Sequence, residues 1–561
     1  MYAVAVSHSG SKRQELLLEK TMSQVSVPST VRTYDIICFG DEVPGILALV
    51  CAVREYYRQK NQYPRTLLLF KGNAKVGIGG HLVRGRLSYL NRCVVPPAIR
   101  QSLNLEMFGD PPAIYHEFLQ RAGVEHIALD PDKADAVLRE MLYEARVEIE
   151  SNIEIESAIA EGKKIKGIKL TKDETCLGKQ FIDCTVNAEL ALSCGVKKLK
   201  GFQTFGLPDS ELAVTLVFET YGLSIEKLQN LELDYLQFLT NPVDPEARKW
   251  IDIAAGGSAA IAKQLREDLL DEDGNLKTMI VGKDYIDIRS RAISIAYHAV
   301  RGTPIDIESG NAVFDKGKIT ILSKGRLSWN ALLYKVNAEQ AEGLARAKAK
   351  PTLEILNEML FVRKWFESIG ASEVKHAPEL YIRHAGNILG AVKPLCGYEM
   401  LAGGVPKREA LGTFGYHFNT RSGIEGLDRK VTEKSFDRKV LENPPLFNIG
   451  IQHALIKDVP NLAVISPASG FIGYACLPGR IVEFNSAVGQ GVGIAAGIAI
   501  AQQRDLAEIS NLEVRNVLAQ TGRLSQIYGT SNAHKVEELE DFELEMAVQI
   551  GSNFTLNSFI F

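Results

Sequence analysis

The apolar positions of this chain come in two textures. Near the N-terminus they form short unbroken runs, Ile36-Ile37-Cys38-Phe39 after Asp35 and then Leu67-Leu68-Leu69-Phe70, as strands buried on both faces do. Between them Gly40-Asp41-Glu42-Val43-Pro44-Gly45 makes a tight glycine turn, and a helix-like stretch runs on through Arg54. Strand, glycine turn, helix and strand is the order of a dinucleotide-binding unit, in which backbone N–H groups at a helix N-terminus meet a pyrophosphate. Glu42 stands where the middle glycine of that turn is usual. Helical spacing follows over Asp132–Ala145, with Ala136, Val137, Met141 and Leu142 on one side and Asp130 or Asp132 as N-cap. Val147–Leu170 alternates in short strands around a turn at Glu161–Lys164, and Phe181–Thr185 reads as another buried strand.

The middle of the chain, roughly Val196 to Arg429, has long charged helical stretches, notably Asn337–Ile369, separated by turns, with no fixed-period repeat. From Pro444 the first texture returns: Asn461–Ile465 is an apolar strand and Gly489–Gln503 a helix of small residues. The expected fold class is therefore α/β, a Rossmann-like domain discontinuous in sequence with an inserted α+β domain. Its divisions are 1–33, a disordered arm; 34–195, the first part of the nucleotide domain; 196–429, the inserted substrate or cap domain; 430–529, the return segment; and 530–561, an acidic tail ending in aromatics.

Composition narrows the function classes. A chain of 561 residues predicts two or three structural units. A net charge of −4 offers no general attraction to nucleic acid or anionic lipid. No uninterrupted apolar run reaches the ~20 residues of a membrane span, and the N-terminus lacks a secretory pattern. The eight cysteines include no C-x-x-C pair, which argues against a zinc site, an iron–sulfur cluster and a disulfide scaffold, so no metal is expected and a reducing, cytoplasmic compartment is.

The segments Gly40–Gly45, Gly77-Ile78-Gly79-Gly80-His81-Leu82, Phe181–Glu189 and Pro460–Ala501 resemble the FAD-dependent oxidoreductases of the glutathione-reductase-like, two-dinucleotide-fold superfamily. Arg326–Asn330, Leu380–Arg383 and Gly415–Asn419 are similar to that group in patches, and the resemblance covers about Tyr34 to Gly529. It implies FAD as cofactor, held at Gly40, Glu42, Pro44 and Gly45 of the first turn, at Lys71 after the second strand, and at Gly79, Gly80 and His81. It also implies that Gly489, Gln490 and Gly491 bring a helix N-terminus to the flavin pyrimidine edge, where reduction builds negative charge. Two departures stand out: Glu42 puts a carboxylate in the turn, and Phe70-Lys71 replaces the acidic residue that often meets the adenosine ribose. Lys71 or Lys75 is then the expected phosphate contact.

For chemistry beside a flavin the inserted domain offers His417 as proton acceptor and Arg421 as anion clamp. Alternation in an extended strand would set His417, Asn419 and Arg421 on one side, with Tyr416 and Phe418 anchoring the other. Arg383 and Arg480 are candidate substrate or flavin contacts, against ordinary ion pairing. The reading is an FAD-dependent oxidoreductase moving a hydride between a small organic molecule and flavin N5, with no nucleic-acid partner, no membrane span, and electron partner and oligomeric state open. Alternatives are a non-enzymatic binding protein on a degenerate flavoprotein fold, as the Rab GDP-dissociation inhibitors resemble oxidoreductases, and a flavin hydroxylase or isoprenoid reductase.

Overall fold

The computed structural model describes residues 30–420 and 423–548. Along the chain, β1 (Ile36–Phe39) leads through the glycine turn into α1 (Val43–Lys60), and β2 (Thr66–Phe70) follows. Then come α2 (Pro131–Glu144), β3 (Glu148–Ser151) and β4 (Gln180–Asp183). A second region carries β5 (Val214–Tyr221), β6 (Ala312–Leu322), β7 (Arg326–Tyr334), α3 (Ala338–Arg346) and β8 (Glu373–His376). The chain returns with β9 (Leu462–Val464) and α4 (Val482–Gln502), and α5 (Ala533–Val548) is the last described helix.

Two sheets organise these elements. The first is wholly parallel, in the order β9-β4-β1-β2-β3, so a strand from the far end of the sequence completes one edge. Its three central strands are buried along their whole length, which is why they read as unbroken apolar runs rather than alternations. The second is a six-stranded antiparallel sheet in the order Ile280–Val281, Tyr285–Asp287, β6, β7, β5, β8. Helices pack on it through an aromatic cluster in which Trp329 and Phe366 lie 4.7 Å apart. This is the Rossmann-like α/β architecture.

α1 and α4 form the spine that ties the two ends of the sequence together. Pro44 in the first turn of α1 costs no hydrogen bond there. Gly489, Gly493 and Gly497 of α4 recur every fourth residue and so share one face. A methyl group on them would stand 2.5 Å from the Pro44 carbonyl oxygen, 2.2 Å from that of Ala48 and 2.8 Å from that of Ala52. The glycines therefore let two helix backbones touch. By length and composition α4 could cross a membrane, yet its apolar window is wholly buried inside the molecule.

One expectation about the ends changes. Thr30–Thr33, placed in the disordered arm, forms a strand parallel to Glu174–Leu177 at the edge of a small four-stranded sheet; residues 1–29 lie outside the described residues. The acidic tail contributes α5, whose Phe542 and Glu543 are buried against Phe436, Tyr474 and Tyr398.

Candidate functional site

In the parallel sheet the connections from β1 and β4 leave in opposite directions, and the crevice outside the carboxyl ends of such strands is the ligand position of open α/β sheets. Here that crevice is an open cleft lined by Gly40 and Asp41 after β1, Lys71 after β2, Thr185 and Asn187 after β4, and Arg84 and Glu379. Gly40 has φ +100°, and a methyl group on it would lie 2.6 Å from the Cys184 carbonyl carbon. Only glycine lets the two strand ends approach this closely. Asp183 ties the loop after β4, accepting hydrogen bonds from the amides of Thr185 and Ala191 at 2.9 Å and from the Thr185 hydroxyl at 2.7 Å. Burial pushes its carboxyl up to about 6, those donors pulling the other way.

The cleft floor is dominated by charge. Gly79 and Gly80 donate their backbone N–H groups to Asp41 Oδ2 at 3.0 and 3.3 Å. Asp41 is also clasped by Arg84, whose Nη2 lies 2.9 Å from Oδ1, and Arg84 Nε donates to Glu379 at 2.7 Å. All of this is buried or nearly so. Burial pushes the Asp41 carboxyl up, but Arg84 and the two glycine amides win and hold it below the usual carboxylate range. Glu379 goes the other way: burial takes it to about 7 against the pull of Arg84. The Glu42 carboxylate leaves the turn and accepts from the His81 amide at 3.2 Å, with His81 Nδ1 also against it. The His81 ring stacks on Tyr381 at 4.9 Å. Lys71 pairs with Glu189 at 3.0 Å, while Lys75 is exposed.

α3 links this cleft to a second opening. Ala345 near its C-terminal end lines the cleft, and Lys335 and Val336, just before its N-cap Asn337, line a cavity of about 320 Å³ with Glu211, Ala213 and Ile424. A helix of 9 residues spans roughly 14 Å. Behind the cavity wall Glu211 meets His384 Nδ1 at 2.8 and 3.0 Å, and His384 Nε2 lies 2.7 Å from Asn387 Oδ1. The Asn387 amide nitrogen donates to the Pro467 and Ser469 carbonyls, so its oxygen is the acceptor and Nε2 carries a proton.

Several expected site residues are elsewhere. His417 is exposed and follows the end of the strand Thr413–Gly415, with Tyr416 and Phe418 buried behind it, so the alternation is as expected but the polar side faces solvent. Arg421 lies outside the described residues. Arg383 is 1% exposed and is used inside the antiparallel sheet, donating to the Ala213 carbonyl at 2.5 Å and the Thr215 hydroxyl at 2.7 Å. Gly489, Gln490 and Gly491 sit about two turns inside α4, not at its start: Gly489 faces Pro44, Gln490 accepts from the Ile114 amide at 2.9 Å, and Gly491 faces Ile451 and Leu411. Arg480 immediately precedes that helix; it is buried, donates to the Asn419 carbonyl at 3.1 Å and leaves Nε without a hydrogen-bond partner. Asp41, Arg84, Glu379, Glu211 and Asn387 carried no assigned role in the sequence. Arg84 lies two residues beyond the quoted Gly77–Leu82 segment, and nothing local announces Glu379, 295 residues away.

A parallel sheet with a glycine-lined crevice at its strand ends, its edge completed by a strand from the far end of the chain, defines a dinucleotide-binding α/β protein. Residues 98–518, well over half the chain, match the family model described as FAD dependent oxidoreductase, and the chain belongs to that family, whose cofactor is FAD. No curated protein matches it significantly. Similar solved structures include L-proline dehydrogenase from P. horikoshii (10% identity, 88% of this chain and 99% of that one, TM-score 0.33) and a geranylgeranyl bacteriochlorophyll reductase-like protein from Thermoplasma acidophilum (11%, 92% and 100%, 0.33). A third is the halogenase PltM in complex with phloroglucinol and FAD (11%, 88% and 73%, 0.34). Their substrates say nothing about this chain.

The residues fit the adenosine diphosphate half of FAD by place and by backbone. Gly40, Gly79 and Gly80 all adopt positive φ, Gly40 lines the crevice, the Gly79 and Gly80 amides meet Asp41 at its wall, and Lys71 and Arg84 supply cations beside it. Charge is the exception. The Gly79 and Gly80 amides are taken by Asp41, and the cleft holds about 90 Å³, against roughly 300–1,000 Å³ for ordinary ligand pockets.

Proposed function

We propose that this protein is an FAD-dependent oxidoreductase that moves a hydride between a small organic molecule and the flavin. The observation that carries the reading is the placing of two openings at the two ends of α3: a dinucleotide cleft at the carboxyl ends of the parallel strands, and a separate cavity in the second region. A long dinucleotide is the cofactor suited to reach from one to the other. When bound, the flavin supplies the hydride-accepting or hydride-donating centre. In this reading Gly40, Gly79, Gly80, Lys71 and Arg84 hold the diphosphate end, and the Glu211–His384 pair holds the proton that accompanies hydride transfer, with Asn387 fixing the imidazole tautomer. That role passes from His417, which faces solvent. The eight cysteines, all free thiols, suit a cytoplasmic setting.

Incubation of the purified protein with excess FAD, removal of free cofactor and a visible spectrum test the reading. Flavin bands with FAD released on denaturation are expected. A colourless protein would instead favour a non-enzymatic binding protein on the flavoprotein fold, a reading to which the carboxylates of Asp41 and Glu42 in the turn give specific support.

A further inference from the structure

In a dinucleotide turn the backbone amides around the glycines wait for phosphate oxygens. In this chain a neighbouring pair of amides, those of Gly79 and Gly80 in the loop after β2, which the resemblance also assigns to the cofactor, is already filled by an anion from the turn itself. Asp41 Oδ2 takes both the Gly79 and Gly80 amides, and Arg84 reaches across from the far side to complete the set with Nη1 and Nη2 on the two carboxylate oxygens. This is the donor set a diphosphate oxygen would meet: two convergent N–H groups and a guanidinium. Arg84 is held in place by two more acceptors, the Gly77 carbonyl at 2.9 Å and Glu379 at 2.7 Å. Glu379 comes from the segment following β8 of the other sheet, so the arrangement couples the cleft to the second region.

Resting on the FAD reading above, we propose that Asp41, Arg84 and Glu379 form a latch: Asp41 stands in for the pyrophosphate in the cofactor-free chain, and FAD binds by displacing it from the Gly79 and Gly80 amides and from Arg84. Two features make the displacement obligatory. A buried carboxylate and a diphosphate cannot share one pair of amides, and their like charges repel strongly where water is excluded. Glu42 plays no such part. Its carboxylate is turned onto the His81 amide, one residue beyond the glycine pair, and onto the His81 ring, which Tyr381 backs. The latch sets cofactor affinity through a residue whose side chain would not be needed to hold FAD at all.

The test measures FAD affinity by quenching of flavin fluorescence in the full-length protein, with thermal melts as a second readout. Asp41→Asn and Asp41→Ser keep a small acceptor near the amides and remove the charge; two replacements of different size guard against one failing to fold. Each is expected to tighten FAD binding at least tenfold over wild type. Each should also let inorganic pyrophosphate raise the melting temperature, with no such rise expected for wild type. Glu42→Gln, which leaves the Asp41 contacts alone, should change FAD affinity less than threefold. Unchanged or weakened affinity in folded Asp41 variants of a wild type that binds FAD overturns the latch and leaves the cofactor reading standing. Failure of wild type and variants alike to take FAD overturns both.

Discussion

Glycine has two distinct uses in this chain, and they respond differently to substitution. Gly45 is a packing glycine: a methyl group on it would meet Cys184 Cβ at 2.5 Å and Sγ at 2.7 Å, where α1 crosses β4. Gly489 is stricter, because the obstacle is the Pro44 carbonyl, a backbone atom with no rotamer to change. Gly489→Val is expected to cost about 3 kcal/mol or more, at or above the upper end of ordinary overpacking, and to lower the urea midpoint accordingly. Gly491→Ala meets only side-chain atoms of Ile451 and Leu411. It should cost less and leave FAD affinity as in wild type. A folded Gly491→Ala protein with impaired FAD binding, measured by fluorescence titration, would return the middle of α4 to the cofactor site.

At the scale of elements, the instructive case is α5. Its sequence is an acidic run, yet one acid in it, Glu543, points inward. There it accepts hydrogen bonds from the amides of Tyr474 at 2.7 Å and Tyr398 at 3.1 Å. Among the described residues no cation pairs with it, and Glu399, Cys396, Cys476 and the two tyrosines are the titratable groups nearby. Burial pushes its carboxyl up to about 8, the amides pulling down without prevailing. The folded chain thus keeps a proton that the unfolded chain releases at its ordinary value near 4.5. Stability from this group is fully present below that lower value and is lost as pH rises through about 8. Glu543→Gln, which keeps an acceptor and cannot ionise, should flatten the fall in melting temperature between those two values. An unaltered pH profile would show that Glu543 is ionised in the folded state. The segment around His417 teaches the complementary lesson. Alternation there correctly separates buried Tyr416 and Phe418 from exposed His417 and Asn419, but periodicity cannot tell a pocket from bulk solvent, since both are polar.

For the molecule as a whole, the return of the chain decides whether the first region folds. β9 completes the parallel sheet beside β4, and α4 covers α1 along a stripe of three glycines. A chain ending before Leu462 would expose the apolar faces of both α1 and β4. It is expected to lose cooperative unfolding in far-UV circular dichroism and to be degraded by low protease concentrations. A protease-resistant product spanning the first four strands would show instead that the N-terminal unit is self-sufficient.

The sequence by itself determined β1, β2, β4 and β9, the glycine turn, the small-residue helix and the nucleotide-fold class, because each is written in local pattern: unbroken apolar runs, a glycine where φ must be positive, small side chains where helices touch; β3, Glu-Ile-Glu-Ser, carries no such run and read as part of the antiparallel segment. Only the tertiary structure decided what fills the cleft. The Arg84–Glu379 contact joins residues 295 positions apart, and Glu211 reaches His384 across 173. Burial and a fixed partner, not residue type, convert a carboxylate from a solvated surface group into an internal anion or a proton holder. Asp41 lies in the most legible motif of the chain, yet whether its side chain leaves the turn open or closes it depends on where a guanidinium from the next loop comes to rest.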